Sequence, residues 1–552
     1  MYDLACSLSS SGSSVYHVSS LVVPILLASA SHDGDASHEG DASHEGDLLL
    51  FGGTSTDTSN VTRGSVSAFY RPQSSPGSLV PLRMPAFPSE TRPAAIQSLQ
   101  LVSLSSPVPD DELAASYPCL SHARLDPPSS ASSSTSSTSS SPSPLLTFTA
   151  ADDRSVVTLF TVTCVPSSPP RFSFSARPLI SGSLFPAIES HFPPPLAAKP
   201  KALKNKHNEQ CEATFSGTHA VGQGGSLLAL ALHDNNFGYT PLISFFSLPS
   251  SAAESSPLHL GDYPTHHSDS LTNLLFHPTI PSLLLSSSED GTISVFDTRH
   301  PTPALSLMHV IRGGDAVPRG GLTIFGPSKS WHSEATPSAA SLPPLSGSTG
   351  VAVLCGLAGS EIAVYNGVNA NKMLRLKEMR SNPFTRLASQ AGNGGYGDDV
   401  EGDGTSDDRD VDYFVRSVWI SEPSGAGGEY YGAERRPEAE DGGYLCVIGG
   451  NFSGDLIPRV VKTDGVEPLY DADGAEVALT GGHTSTVRCV SSISGGLVTA
   501  GEDGKVCVWL RKRSSLPPSP PASSPASPST EPKKEKKDKK DKKKKKKRLA
   551  DE

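Results

Sequence analysis

Seven times along this chain, an apolar run ending in small residues is followed after a short turn by a second run, which in most cases alternates and ends in an aromatic. The pairs are DLLLFGG with SVSAFY (47–70), LLTFTA with SVVTLF (145–160), SLLALAL with PLISFFSL (226–248) and SLLLSSS with TISVFD (282–297). They continue with VAVLCGL and EIAVYN (351–366), YLCVIGG and DLIPRVV (444–461), and GLVTAG and KVCVWL (496–510). Short apolar runs separated by turn residues read as β-hairpins. Their recurrence predicts an all-β repeat architecture. The 49 Gly and 48 Pro suit the turns and weigh against a mostly helical chain.

The material between hairpins differs in kind. Segments 31–47 (a six-residue repeat containing HEGD), 128–144 (Ser-rich), 165–207, 327–349, 391–409 and 421–442 read as surface insertions, too polar or too rich in Pro and Gly to bury. Folding is expected to stop near residue 512, leaving 513–552 as a Pro/Ser linker with a Lys-rich tail. LVVPILLASA (21–30) imitates a signal-peptide core, yet no positive charge precedes it, so it reads as a buried strand. No run approaches the 18 apolar residues of a membrane-spanning helix. The eight cysteines form no CxxC pair, and Cys355, Cys446, Cys489 and Cys507 read as small core residues of a protein in a reducing compartment.

Two units show the repeat in full: HHSDSLTNLLFHPTIPSLLLSSSEDGTISVFDTR (266–299) and GGHTSTVRCVSSISGGLVTAGEDGKVCVWLRK (481–512). Their order of His, apolar strand, small-residue strand, Asp-Gly turn and aromatic-ended strand resembles the WD40-repeat family. With DYFVRSVWISE (412–422) and YLCVIGGNFSGDLI (444–457) between them, the C-terminal half is similar to the WD repeat-containing protein 89 family of intracellular propellers. The resemblance implies a seven-bladed WD40 β-propeller with long disordered insertions and a disordered basic tail. Seven units of ~40–45 residues require roughly 300 residues, and the remainder matches the insertions and tail.

The resemblance also implies a hydrogen-bonded set in each strong unit. One is His483, Thr499, Asp503 and Trp509; the other is His267, Ser286, Asp290 and Phe296, where Phe296 has no N–H and ends the chain of bonds early. Imidazole, hydroxyl, carboxylate and indole satisfy one another in a buried site. Ser286, His267 and Asp290 have the residue types of a hydrolase triad. Their spacing is that of the structural motif, however, and no GxSxG elbow exposes a nucleophile. The HEGD repeats (His38, Glu39, Asp41, His44, Glu45, Asp47) lack HExxH and read as a solvated loop, and GPSKS (326–330) does not satisfy the P-loop pattern. No cofactor, metal or enzymatic activity is expected.

Charge supplies the remaining expectations. The chain carries 45 basic and 57 acidic residues, net −12, whereas 533–548 alone holds +10 and leaves a body of −22. Glu289 and Glu502, each preceding a turn aspartate, are expected near the channel mouth, in an acidic rim suited to protein partners with basic segments. The tail reads as a nuclear or nucleolar localisation signal, or as a sequence-independent nucleic-acid contact without aromatic residues to stack bases. A non-enzymatic scaffold of an intracellular complex is the reading adopted. A nucleic-acid-associated factor of the ribosome-assembly type is the alternative.

Overall fold

Each sequence hairpin forms an antiparallel pair, and neighbouring strands extend each pair into a sheet. The computed structural model describes residues 2–9, 14–28, 42–56, 62–87, 95–105, 123–126, 144–152, 156–165, 170–180, 213–234, 241–249, 257–277, 280–300, 303–312, 316–325, 352–356, 362–366, 413–421, 443–461, 466–469, 477–493 and 495–511. They belong to one compact unit, Met1–Lys512.

Sheet 1 contains β2 (Ser14–Ala28), β3 (Ala42–Thr56), β4 (Thr62–Pro72) and β5 (Val80–Leu82) in that order. Sheet 2 contains β6 (Ile96–Ser105), β7 (Arg124–Asp126), β8 (Leu146–Asp152), β9 (Val157–Val165) and β10 (Arg171–Ile180), in spatial order β10-β9-β8-β6-β7. Sheet 3 contains β11 (Ala213–Gly222), β12 (Leu227–Asp234), β13 (Leu242–Ser247) and β14 (Leu258–Pro264). Sheet 4 contains β15 (Leu271–Phe276), β16 (Leu283–Ser288), β17 (Thr292–Asp297) and β18 (Leu307–Arg312), the last preceded by a single turn of helix, α1 (Pro303–Ser306).

Sheet 5 has three described strands, β19 (Leu322–Phe325), β20 (Ala352–Gly356) and β21 (Ile362–Asn366). Sheet 6 contains β22 (Tyr413–Ser421), β23 (Gly443–Gly450), β24 (Leu456–Val461) and β25 (Val466–Pro468). Sheet 7 joins β26 (Val487–Ile493), β27 (Gly496–Gly501) and β28 (Lys505–Arg511) to β1 (Tyr2–Ser9), with Leu4 opposite Trp509 and Ser9 opposite Lys505.

Successive sheets touch in a closed cycle. The contacts run β26 to β2, β2 to β6, β6 to β11, β11 to β15, β15 to β19, β20 to β22, and β22 back to β26. This arrangement is a β-propeller. Its apolar core lies between neighbours. One cluster joins Ile25, Leu49, Phe148 and Val498 across sheets 7, 1 and 2, while another joins Ile448, Leu497 and Trp509 across sheets 6 and 7. Because both faces of each sheet are covered, a strand such as β16 (LLLSSS) buries all six residues. Small residues there let the next sheet approach.

Several expectations are corrected. Seven complete four-stranded blades were expected; six sheets have four or five strands, and sheet 5 has three among the described residues. Part of the 31–47 segment is not an insertion, because β3 begins at Ala42 and Asp47 is buried. A carboxylate survives burial there because its register partner on β4, Arg71, supplies a guanidinium. Part of 165–207 is also strand: the alternating RFSFSARPLI forms β10, the outer strand of sheet 2, exposed along much of its length. The segments 31–41, 128–143, 181–207, 327–349, 391–409, 422–442 and 513–552 lie outside the described residues. Leu21, Val22, Val23 and Ile25 are buried in β2, and no helix among the described residues is long and apolar enough to cross a membrane.

Candidate functional site: two histidine clasps and the rim beside them

In sheet 7, the loop before β26 delivers His483 to the turn between β27 and β28. Its Nδ1 donates to Asp503 Oδ1 at 3.0 Å, its Nε2 lies 2.7 Å from Thr499 Oγ1, and Trp509 Nε1 donates to that hydroxyl at 2.8 Å. Asp503 also accepts the amides of Thr484 (2.9 Å) and Lys505 (3.1 Å), so one carboxylate fixes both the loop and its own turn. Gly504 has φ +67° and Gly291, its counterpart in sheet 4, +77°, a conformation that side chains with a Cβ resist. Burial opposes a charged His483, but the Asp503 hydrogen bond, with Cys507 nearby, outweighs it and raises the pKa to about 9. Burial likewise opposes the Asp503 carboxylate, but its hydrogen bonds hold it at about 2. The pair is therefore an imidazolium and a carboxylate. Thr499 then accepts from both Nε2–H and the indole with its two lone pairs.

The sheet 4 clasp is built differently. His267 Nε2 lies 2.7 Å from Ser286 Oγ, as expected, but Nδ1 meets Thr292 Oγ1 at 2.6 Å and lies 3.6 Å from Asp290. Thr292 in turn donates to Asp290 Oδ1 at 2.6 Å. A hydroxyl that gives its proton to a carboxylate has only lone pairs left, so His267 Nδ1 must carry hydrogen and Nε2 must accept from Ser286. Burial then prevails, and the His267 pKa is lowered despite Asp290. Phe296 is buried against the sheet 3 side and supplies no donor. Sequence reading missed Thr292, which follows the Asp-Gly turn where the other unit has Lys505.

Ser286 and Thr499 are both fully buried, so neither hydroxyl meets a substrate from solvent. The two rim candidates separate. Glu502 is held by Arg488, whose Nε donates to Oε1 at 2.7 Å, so its charge is largely offset. Glu289 is exposed, and its amide donates to Ser270 O at 3.1 Å. Among the described residues, no group of three His, Cys, Asp or Glu is arranged to hold a metal ion.

No protein-family model matches the chain, and no curated protein matches it. Among solved structures, it is similar to Sqt1 from Chaetomium thermophilum at 12% identity and a TM-score of 0.44, over 93% of this chain and 100% of that one.

Proposed function

We propose that this chain is a non-enzymatic WD40-repeat scaffold on whose turns other proteins assemble, in an intracellular complex of the nucleus or nucleolus. The observation that carries the reading is the pair of His–hydroxyl–carboxylate clasps, which lock turns to strands and expose no reactive atom. A propeller braced in this way presents a rigid set of loops, a use argued by analogy with other propellers. Sheet 5, lying between sheets 4 and 6 in the cycle, is taken as the seventh blade, in keeping with the motif order that resembles WD repeat-containing protein 89. The acidic body favours partners with basic segments, and Glu289 is the rim residue most available to them. The run 533–548 would act as a localisation signal.

The second reading has one observation in its favour, the 13 basic residues within 533–548, which would bind RNA without regard to sequence. Affinity purification of the full chain beside a 1–512 truncation, with salt and nuclease arms, separates the two. The scaffold reading expects the same protein partners from both chains. Loss of every partner together with RNA on truncation would favour the second reading. Within the scaffold reading, Glu289→Lys is expected to reduce recovery of basic partners by about ten-fold, and Glu502→Lys by less because Arg488 already offsets it. Unchanged recovery from both variants would exclude a role for the acidic rim.

A further inference from the structure

One short turn, residues 317–321, lies over the end of the ring. Asn273 on β15 sets its course: Nδ2 donates to Pro318 O at 2.9 Å, and Oδ1 accepts the Gly320 amide at 2.7 Å. Val317 N donates to Ser288 O at 3.2 Å, which ties the turn to sheet 4 a second time. From that anchorage it reaches two other sheets. Arg319 Nη1 donates to Gln97 Oε1 on β6 of sheet 2. Gly320 faces β22 of sheet 6, where an added methyl would lie 3.6 Å from Val415 O. A turn that touches sheets 2, 4 and 6 of a closed cycle crosses its mouth.

Arg416 follows Val415 directly. The residue is only partly exposed, burial lowers the pKa of its guanidinium, and among the described residues it makes no hydrogen bond or ion pair. The group facing it from sheet 7 is Cys489, a thiol that burial pushes up to about 12 and keeps neutral. A hemmed-in guanidinium with five donors and no counter-charge is costly, and a planar carboxylate is the group that satisfies it best. Arg319 and Arg416 are the chain neighbours of Gly320 and Val415, whose close approach brings the two backbones together at one end of the ring.

We propose that Arg416 and Arg319 form a receptor for an acidic side chain, presented by a partner peptide that inserts at the mouth of the ring. The proposal rests on the scaffold reading and adds a partner chemistry opposite to that of the rim. A peptide fits better than a nucleic acid because the surrounding chain is strongly acidic: residues 1–512 carry 31 basic and 51 acidic side chains. Such a body repels a polyanion, while one inserted carboxylate meets the two arginines at short range.

Hydrogen exchange on the full-length protein with an added end-capped peptide that carries a single glutamate among glycines and alanines tests the proposal, because capture by the Lys-rich tail would leave the mouth segments unprotected. The expected result is slowed exchange in 317–321 and 413–421, absent when glutamine replaces the glutamate of the peptide. The peptide concentration required should rise at least about ten-fold in Arg416→Met and in Arg319→Gln. Arg319 is exposed, so the second variant decides the matter if the first destabilises the fold. No protection in the wild-type protein, or equal protection in both variants, would overturn the site. So would equal protection by oligouridylate, which would make the mouth a nucleic-acid contact. Partner recovery in the purification experiment despite any of these outcomes leaves the scaffold reading standing.

Discussion

His483 reaches Asp503 directly, Nδ1 to Oδ1 at 3.0 Å, and this contact keeps a buried imidazole charged. In the related unit, the Thr292 hydroxyl stands between His267 and Asp290, and the imidazole is neutral. One motif thus gives two electrostatic states, decided by a single residue after the turn glycine.

The clasps are expected to respond differently to substitution. Trp509→Phe removes the indole donor to Thr499 and should cost about 1–2 kcal/mol; Thr499→Val leaves both imidazole and indole without their hydroxyl and should cost about 2–3 kcal/mol. Thr292→Val should raise the His267 pKa if the ring moves onto Asp290, or cost about 1–3 kcal/mol if Nδ1–H is left without an acceptor. Urea denaturation and histidine NMR titration measure these effects. A Thr499→Val protein as stable as wild type would contradict the clasp account.

Stability should peak between the two histidine regimes. His483, raised to about 9, contributes fully below the unfolded value near 6.5, and its contribution disappears as pH rises through 9. Burial lowers His17 and His277 to about 4 and His219 to about 3, so their unfolded forms take up protons first as pH falls below 6.5. At pH 5 each costs about 2 kcal/mol. Asp503, held at about 2, adds stability above the ordinary carboxylate value and loses it only in stronger acid. Denaturation midpoints should therefore fall more steeply from pH 6.5 to 5 than from 7 to 8.5, and His219→Gln should flatten the acid limb. A midpoint independent of pH between 5 and 8 would contradict these assignments.

Ring closure depends on the N-terminal strand. Deleting residues 1–9 removes β1 from β28, uncovers the edge of sheet 7 and exposes the face around Trp509 and Cys507. The expected loss is several kcal/mol, with faster proteolysis of sheet 7 than of sheets 3 and 4. Limited proteolysis with mass spectrometry reads the order of cleavage; uniform cleavage throughout would argue against closure through this strand.

Arg71→Met should be among the most damaging single changes, because it leaves the buried Asp47 without the guanidinium opposite it. The expected cost is about 3–5 kcal/mol, recovered in part by the double change with Asp47→Leu. A double-mutant cycle checks this, and purely additive losses would show that the pair is not coupled.

All seven hairpins were legible because alternation, strand length and turn residues are local properties, and each was found as an antiparallel pair within a sheet. The clasp members His483, Thr499, Asp503 and Trp509 were named through the resemblance to the WD40 repeat, whose motif positions all lie within one unit. Thr292 was not, since a threonine after Asp-Gly gives no local sign that its hydroxyl will intercept an imidazole 25 positions earlier.

The amino-acid order by itself determined where strands and turns form, because φ/ψ preference and side-chain periodicity act over a few residues. Tertiary structure alone decided which distant groups meet. It joined Leu4 to the Trp509 strand, covered the polar-looking Asp47 with Arg71, turned RFSFSARPLI into an outer strand, and brought Arg319, in the turn before β19, to Gln97. Such pairings arise when whole sheets close into a ring, and the free energy that selects them comes from burial between sheets, which no local window of sequence contains.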